Sequence, residues 1–293
     1  MHRNVKKRGG NSNQRTSFTL FQRVPAFYEP FQEGNKGCFK LSNITKISKK
    51  NKKMKKVTLM VPCYNEEKGV GHVVKSVPKA KLKKLGYDVD VLVIDNNSND
   101  HTTAVAKKAG ARVVFEPKPG KGNALQTGFK NLLKDTEIVA MIDGDDTYNS
   151  AELDKIIKPL LEGKSDIVMG SRLNGGLQKG AMTKVNFFGN KMFSLMARQL
   201  YDSNVEDLET GFVAWRRDVA DTISKHLEEE RFGIEPELLA KAKRFNYKVH
   251  TVSITYRRRL GDSCLHPLRD GSRVLVALLQ HYFWSPRKGN VAR

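Results

Sequence analysis

The chain has 293 residues, a formal net charge of +21 at pH 7, 39% hydrophobic residues and 28% charged residues. The hydrophobic share excludes a wholly disordered chain, and the length is sufficient for one large α/β domain. Residues 1–56 hold 15 Lys/Arg against 2 Asp/Glu, so the basic charge is concentrated in a tail, and no specific nucleic-acid partner is expected.

Residues 1–55 are polar, rich in lysine and without periodicity, and we expect them to form a disordered basic arm. An alternative is that the native protein starts at Met54. The arm lacks the apolar core of a signal peptide, and the most apolar stretch, residues 274–284, is shorter than the roughly 18–20 residues of a transmembrane helix. Three cysteines without metal-binding spacing are typical of reduced thiols in the cytosol.

Residues 56–293 are expected to form one folded domain, in which short apolar runs alternate with segments of helical spacing. The runs are residues 57–61, 89–94, 112–115, 138–142 and 166–169, and the helical segments are residues 66–77, 100–109, 122–133 and 151–161. Continuous apolar strands separated by helices predict an α/β fold with a mostly parallel, Rossmann-like sheet flanked by helices on both faces. In such sheets, ligands bind at the carboxyl ends of the strands.

The pattern is looser after residue 172. We predict helices over residues 185–200, after Glu235 and over residues 268–284, with a strand over residues 249–255. The last helix is amphipathic, and its apolar strip ends in aromatic residues that basic residues follow. This composition is typical of a helix at a membrane interface, although packing into the core accounts for it equally well.

Polar residues directly follow three of the predicted strands. Asn65 and Glu66 follow the first strand, residues 95–100 follow the second, and Asp143 and Asp145 follow the fourth. Two carboxylates at positions i and i+2 can both turn toward one hard cation, and an oxygen-only ligand set suits Mg²⁺ or Mn²⁺. Such an ion would neutralise a diphosphate leaving group. An acidic turn that caps the next helix is the alternative.

Short motifs occur at these strand ends and downstream of them. They are VPCYNEE (residues 61–67), VIDNNSND (93–100), GKGNAL (120–125), DGD (143–145), SDIVMGSR (165–172), ETGF (209–212), FGIEPELL (232–239), YR (256–257) and GDS (261–263). In this order the chain resembles the inverting family 2 glycosyltransferases with the GT-A fold, in the branch of the dolichyl-phosphate mannose synthases and polyprenyl-phosphate glucosyltransferases. The resemblance covers about residues 57–284. It implies that residues 56–293 form a GT-A glycosyltransferase domain that ends in an amphipathic helix.

The resemblance implies a nucleotide-sugar site at the strand ends. The residues expected at the nucleobase and ribose are Pro62, Tyr64, Glu66 and Asp95. Asn96 stands where the family usually has a second aspartate, which removes one charge beside the nucleotide. Gly122 is expected to let the backbone approach the donor, and a tight turn that starts a helix is the alternative.

The resemblance also implies which residues surround the reacting centre. Asp143 and Asp145 are expected to face the diphosphate and to hold the metal ion, with Asp145 as its direct ligand. The residues predicted to be catalytic are Asp145, Arg172 and Glu209. Glu209 and Glu235 lie where acidic residues near the sugar are expected, and orienting sugar hydroxyls suits them better than proton transfer.

The acceptor is predicted to be a lipid phosphate. Such a phosphate is already an anionic nucleophile near neutral pH, so its site needs cations rather than a general base. The candidates to bind it are Arg172, Arg257, Arg258 and Arg259, because arginine combines a permanent charge with forked donors. Of these, Arg172 and Arg257 are the predicted ligands, and Ser263 is expected to add a hydroxyl donor. A solvated basic face is the alternative for residues 257–259. The branch commonly has a lysine after the serine, and Cys264 stands there instead, so that Arg258, Arg259 or His266 would have to supply the charge.

Together these patterns predict transfer of a hexose or N-acetylhexosamine from a UDP- or GDP-sugar to a polyprenyl or dolichyl phosphate, with inversion and with Mg²⁺ or Mn²⁺. The enzyme is expected to be cytoplasmic and peripheral on the cytoplasmic face of a membrane, where anionic lipids would attract the basic arm. The alternative is a soluble or polysaccharide hydroxyl acceptor. That reaction needs a base near the sugar, and Glu209 or Asp207 would then supply it.

Overall fold

The computed structural model describes residues 54–231, 233–261 and 267–285, so almost all of the expected basic arm lies outside it. The strands are β1 (Lys55–Cys63), β2 (Tyr87–Asp95), β3 (Arg112–Phe115), β4 (Thr136–Met141), β5 (Ile167–Leu177), β6 (Val213–Arg216) and β7 (Val249–Tyr256). The α-helices are α1 (Val70–Ser76), α2 (Lys79–Lys84), α3 (Thr102–Lys108), α4 (Lys121–Lys130), α5 (Leu153–Leu161), α6 (Lys184–Tyr201), α7 (Arg217–Ser224), α8 (Ile234–Arg244) and α9 (Pro267–Tyr282).

The seven strands form one sheet in the order β3-β2-β1-β4-β6-β5-β7. β1 is parallel to β2 and β4, β2 to β3, and β5 to β7, whereas β6 is antiparallel to both of its neighbours. The predicted mostly parallel sheet is therefore confirmed. β6, a strand of four residues, was not predicted.

Both faces of the sheet are buried, as the continuous apolar runs predict. Leu59 and Val61 of β1 lie in one hydrophobic cluster, and Met60 between them lies in another, because successive side chains of a strand point to opposite faces. Buried residues of α1, α2, α3 and α5 complete the cluster of Leu59. Those of α4 and of α6 to α9 complete the cluster of Met60.

The helix predicted over residues 66–77 starts later than expected. Asn65 has a φ of 55°, and the residues after it form a turn in which the Val70 N–H donates to the Glu66 carbonyl at 2.9 Å. α1 therefore begins at Val70. The shorter helix leaves Glu66 in a loop at the carboxyl edge of the sheet, where the polar ends of the other strands also lie.

α6 and α9 are joined where the Tyr201 hydroxyl donates to the Leu278 carbonyl at 2.6 Å. Eight apolar side chains on or next to these two helices are between 36% and 80% exposed: Val185, Phe188, Met192, Leu195, Leu275, Val276, Leu279 and Phe283. Among the described residues, none of the helices has both the length and the apolar character that crossing a bilayer requires.

Candidate active site

The loops that follow β1 and β2 are joined by hydrogen bonds at the carboxyl edge of the sheet. The Asn65 N–H donates to Ser98 Oγ at 3.0 Å, and the Asn99 N–H donates to Asn65 Oδ1 at 2.8 Å. The Glu66 N–H donates to Thr102 Oγ1 at 2.8 Å. Asn65 adopts its left-handed φ at lower cost than most residues would. The two loops therefore form one wall of the site.

Asp95 lies in this wall with the residues predicted to bind the nucleoside. Its Oδ1 accepts the Ser98 N–H at 3.0 Å, and its Oδ2 accepts the Thr103 hydroxyl proton. Pro62 is buried on β1, and Tyr64, directly after β1, is 43% exposed. The exposed Tyr64 ring suits a contact with a nucleobase, and the Asp95 carboxylate at the neighbouring strand end suits a contact with a ribose. Both contacts stay predictions.

Asn96 holds the loop that leads to α4. Its Nδ2 donates to the carbonyls of Glu116 at 3.2 Å and Lys118 at 2.6 Å, and its Oδ1 accepts the Gly120 N–H at 2.7 Å. Aspartate has no donor for the two carbonyls, so this loop explains why asparagine fits here. The side chain is thus engaged with backbone, and its predicted contact with the nucleotide stays a prediction.

The glycines at the start of α4 pack against a second stretch of backbone, residues 228–230. A Cβ on Gly122 would lie 2.7 Å from the carbonyl carbon of Glu229 and closer still to its oxygen. Gly120 has a φ of 133°, and a Cβ there would meet the Glu230 carbonyl. The close approach at these glycines is therefore made by protein backbone, and donor contact at Gly122 stays a prediction.

Asp143 and Asp145 have different cationic partners. Lys121 Nζ lies 2.8 Å from Asp143 Oδ1, whereas Arg259 Nη1 lies 2.5 Å from Asp145 Oδ2. The other oxygen of Asp145 accepts the Thr147 N–H at 3.0 Å and the Thr147 hydroxyl proton at 2.6 Å. The two carboxylates were predicted to turn toward one cation, and in this structure a lysine and an arginine from distant parts of the chain bind them separately.

Gly211 provides the space that Asp143 occupies. A Cβ on Gly211 would lie 2.7 Å from Asp143 Oδ1 and closer still to Oδ2. The Gly211 N–H donates to the buried Tyr148 hydroxyl at 2.7 Å, which fixes the backbone at this point. Gly211, the glycine of the ETGF motif, therefore lacks a side chain where the Asp143 carboxylate of the DGD motif needs the space.

Arg259 also binds Glu66, so one guanidinium joins two carboxylates. Burial raises the pKa of Glu66 from 4.5 to about 8, with Arg259 opposing the rise and Asp145 adding to it. Burial alone lowers the pKa of Arg259, but the charges of Asp145 and Glu66 leave it above its ordinary value. This edge of the sheet is therefore an acidic cluster that needs a positive charge beside it.

Lys121 links Asp143 to Glu235, whose Oε1 lies 2.6 Å from Lys121 Nζ. Burial alone lowers the pKa of Lys121, but these two carboxylates raise it well above its ordinary value. Within the described part of the chain, Glu209 Oε1 and Glu235 Oε2 are buried without a hydrogen-bond partner. Burial and the nearby charge of Glu235 raise the pKa of Glu209 well above its usual range. Such oxygens require donors, as a polyhydroxylated ligand would supply.

Arg172 is engaged in a buried ion pair. Its backbone N–H and its Nε donate to Asp207 Oδ2 at 2.9 and 2.7 Å, and its Nη2 donates to Asp207 Oδ1 at 2.7 Å. The guanidinium carbon lies 5.4 Å from the centroid of the Tyr256 ring. Asp207 thus occupies the forked donor face that was expected to bind a phosphate. The catalytic and phosphate-binding roles of Arg172 stay predictions.

Arg257 follows β7 and is held by its backbone N–H, which donates to the Thr147 carbonyl at 2.7 Å. Its guanidinium has no hydrogen-bond partner among the residues that the structure describes. Burial raises the pKa of Asp146, and the charge of Arg257 opposes that rise, so the two groups are neighbours. Ser263 and Cys264 lie outside the described residues.

Sequence reasoning missed Lys121 as a site residue, and it missed the contact of Arg259 with the acidic strand ends. Lys121 had a detectable signal, because it stands between two glycines at the start of a helix that follows a strand. Arg259 was a candidate only for the acceptor phosphate, since a run of three arginines does not indicate which of them turns toward a carboxylate 114 residues away. Both residues supply positive charge to the acidic strand ends.

The carboxyl edge of this open, mostly parallel sheet carries charged groups and buried oxygens that have no partner among the described residues. Such an edge is typical of an α/β enzyme of the nucleotide-binding class. Residues 58–224 match the family model described as glycosyl transferase family 2. The chain belongs to this family and is a glycosyltransferase.

Relatives agree with this assignment, and a solved structure agrees with the fold. The chain is 31% identical to glycosyltransferase AglJ of Haloferax volcanii over 76% of this chain and 70% of the relative. It is 30% identical to a dolichyl-phosphate hexose transferase of the same organism, over 74% of this chain and 90% of the relative. A crystal structure of glucosyl-3-phosphoglycerate synthase from Mycobacterium tuberculosis, in complex with Mn²⁺, UDP and glucosyl-3-phosphoglycerate, superimposes with a TM-score of 0.64. It is 21% identical and covers 80% of this chain and 82% of that one. The predicted GT-A fold is confirmed.

Proposed function

We propose that the chain transfers a hexose or N-acetylhexosamine from a UDP- or GDP-sugar to a polyprenyl or dolichyl phosphate, with inversion at the anomeric carbon. The observation that carries this proposal is the charge arrangement of the site. Buried carboxylates lie at the strand ends, whereas Arg257, at the next strand end, has no hydrogen-bond partner among the described residues. A name among the relatives, dolichyl-phosphate hexose transferase, supports the same acceptor class.

The residues at the strand ends fit a divalent cation. Asp145 is the proposed direct ligand and Asp143 its neighbour, and both offer the oxygen atoms that Mg²⁺ and Mn²⁺ prefer. The acidic cluster already binds Arg259 and Lys121, which demonstrates its need for positive charge. When bound, the ion supplies charge neutralisation for the diphosphate that leaves. The neighbouring solved structure in the same fold binds Mn²⁺ together with UDP.

The chain's own residues position the donor. Tyr64 and Asp95 are proposed to contact the base and the ribose from the joined loops after β1 and β2. Lys121 fixes the directions of Asp143 and Glu235. Glu235 Oε2 and Glu209 Oε1, both buried without a partner in the described part of the chain, are proposed to accept hydrogen bonds from the sugar hydroxyls.

The reaction proposed is a direct displacement. An oxygen of the acceptor phosphate attacks the anomeric carbon, the bond from that carbon to the diphosphate oxygen breaks, and the diphosphate keeps the electron pair. Arg257 is proposed to bind the acceptor phosphate, because its charge is permanent and its donors are forked. Positioning and charge stabilisation then account for most of the rate enhancement.

A hydroxyl acceptor would need a general base, and the structure limits the candidates for it. Asp207 is bound through both of its carboxylate oxygens by Arg172. Asp207 is fully buried and both of its oxygens face Arg172, so neither is directed at an acceptor hydroxyl. This observation argues against Asp207 as the base and leaves Glu209 as the remaining candidate for a hydroxyl acceptor, whereas a phosphate acceptor needs no proton removed.

We also propose that the enzyme binds a membrane surface through α6 and α9, on the cytoplasmic face. Val185, Phe188, Met192 and Leu195 recur at helical spacing, which places them on one side of α6. α9 contributes exposed residues of its own, including Val276, which is 59% exposed. Two joined helices with exposed apolar sides and nearby basic residues suit the headgroup region of a bilayer.

The test is incubation of the enzyme and Mn²⁺ with a panel of UDP- and GDP-sugars and with undecaprenyl or dolichyl phosphate in anionic liposomes. We expect a lipid-linked sugar, and Arg257→Gln is expected to raise KM for the acceptor while KM for the donor is unchanged. Val276→Asp is expected to weaken liposome binding, whereas Leu85→Asp, at a site 55% exposed beyond α2, serves as the matched control. Transfer only to soluble hydroxyl compounds would overturn the acceptor assignment.

A further inference from the structure

Glu237 on α8 lies outside the contacts described so far, yet it determines the path of the backbone beside the site. Its Oε1 accepts the Glu228 N–H at 2.8 Å and its Oε2 accepts the Glu229 N–H at 2.9 Å. The Glu237 side chain is fully buried. A carboxylate that accepts two adjacent main-chain donors fixes both the position and the direction of that backbone.

Lys241, one helical turn later, holds this carboxylate in place. Its Nζ lies 2.7 Å from Glu237 Oε1 and also donates to the His226 carbonyl. The ammonium lies 4.3 Å from the centroid of the Trp284 ring. Both charged side chains are buried, and each has hydrogen bonds beyond the pair itself, which is what a buried ion pair needs to persist.

A metal site is the competing interpretation of this region. Glu228, Glu237 and His281 offer three ligand atoms within 4.8 Å of one another. The Lys241 ammonium, however, already contacts Glu237 Oε1, and a second cation at that oxygen would be repelled. The contacts therefore favour a structural connection over a metal site.

The backbone that Glu237 holds touches the start of α4 on its other side. The Glu229 carbonyl accepts Gln126 Nε2 at 3.3 Å, and the Glu230 carbonyl accepts the Asn123 N–H at 3.2 Å. The absence of a side chain at Gly122 permits this approach. Residues 228–230 therefore act as a spacer between the first turns of α4 and α8.

These two first turns carry Lys121 and Glu235, which meet at 2.6 Å in the site. We infer that Glu237, with Lys241, is a positioning residue for glycosyl transfer, because it holds the spacer that sets Lys121 and Glu235 relative to each other. Glu237 itself is not proposed to contact the donor or the acceptor; it acts through the backbone of Glu228 and Glu229. The inference rests on the proposed function, in which Lys121 and Glu235 act at the sugar.

The test compares Glu237→Gln with Glu228→Gln. Glu228 is the matched control, because its side chain is 60% exposed and lies 4.0 Å from Lys241, while only its backbone contacts Glu237. We expect Glu237→Gln to lower kcat by about tenfold or more, on the scale of the ~10²-fold that a misplacement of about 1 Å can cost. KM for the donor should change by less than kcat, since Tyr64 and Asp95, the residues proposed at the base and the ribose, belong to the ends of β1 and β2 and not to residues 228–230. Hydrogen exchange should become faster in residues 118–126 and 226–231 in Glu237→Gln and not in the control.

A second variant separates positioning from stability. Glu237→Leu combined with Lys241→Met replaces the pair by apolar side chains of similar size, which is often neutral for stability. We expect this double variant to stay folded at the assay temperature and still to lose kcat, because the Glu228 and Glu229 N–H groups no longer have the Glu237 carboxylate as their acceptor. If Glu237→Gln does not fold, kcat is measured in the double variant and in Gln126→Leu instead. Gln126→Leu removes the hydrogen bond from α4 to the Glu229 carbonyl, and it is also expected to lower kcat.

Full kcat in a folded Glu237 variant, or an equal loss in Glu228→Gln, would overturn the inference. Unchanged hydrogen exchange in both peptides would overturn it as well. A wild-type enzyme that transfers no sugar to polyprenyl phosphate would reject the proposed function instead. The exchange rates still decide the role of Glu237 in that case, so the two failures are distinguishable.

Discussion

Gly211→Ala is expected to displace Asp143 and to impair glycosyl transfer without removing any charged group. The new Cβ would lie 2.7 Å from Asp143 Oδ1 and closer to Oδ2, inside the 3.0 Å that real Cβ atoms essentially never cross. The carboxylate must therefore move by roughly 1 Å, and a shift of that size can lower the rate by about 10²-fold. Its ion pair with Lys121, now 2.8 Å long, would be lost or rebuilt.

The cost in stability is expected to be smaller than the cost in activity. Overpacking of this kind typically destabilises a protein by about 1–3 kcal/mol, and thermal unfolding measures it. Steady-state kinetics with varied donor give kcat/KM for Gly211→Ala and for the control Gly176→Ala, where the nearest atom to a new Cβ is 3.5 Å away. In an Asp143→Ala background the clash is absent, so Gly211→Ala should then cost almost no stability.

A value of kcat/KM in Gly211→Ala within about twofold of the wild type would refute this reasoning. It would mean that the carboxylate tolerates displacement, and that Asp143 has no precise role at the diphosphate. Equal destabilisation in the presence and absence of the Asp143 side chain would show that the glycine is needed for another reason.

Three further perturbations test the acidic edge of the sheet. Removing one partner of a fully buried ion pair costs ~3–5 kcal/mol, and Arg259→Gln should cost less because the Arg259 side chain is 26% exposed. Mn²⁺ should restore much of the loss in melting temperature. The pKa of Glu66 is about 8 in the folded protein against 4.5 in the unfolded chain, so the folded state binds this proton more tightly. The stability of the chelator-treated protein should therefore fall as the pH rises from 4.5 through 8, and Glu66→Gln should flatten that dependence. Asn96→Asp removes the donor to two carbonyls and should cost about 1–3 kcal/mol in urea unfolding.

Each of these expectations has a contradicting result. An Mn²⁺-induced rise in melting temperature that is equal in the wild type and in Arg259→Gln would mean that arginine and metal do not share the site. A pH dependence unchanged by Glu66→Gln would assign the titration to another group. Wild-type stability of Asn96→Asp would show that the loop before α4 does not depend on the amide.

The strand ends were predictable because their pattern is local. A buried strand in a parallel sheet is a continuous apolar run, and the polar residues that end it lie at the binding edge whatever the details of packing. Asp95, Asp143 and Asp145 follow from this rule alone. The turn that delays α1 was less accessible, because Asn65 adopts its left-handed φ in a loop held by hydrogen bonds to residues 98 and 99.

The sequence alone determined that alternating strands and helices form a sheet with helices on both faces, and that several carboxylates lie at one edge of that sheet. Only the tertiary structure decided which cation meets which carboxylate. Arg259 reaches Asp145 across 114 residues, and Lys121 reaches Glu235 across a gap of the same length, through loops whose paths no periodicity reports. The physical reason is the distance along the chain over which each feature is determined. The spacing of apolar residues within one helix or strand indicates which of its faces is buried, whereas a buried ion pair depends on where two segments far apart in the sequence lie in the folded protein.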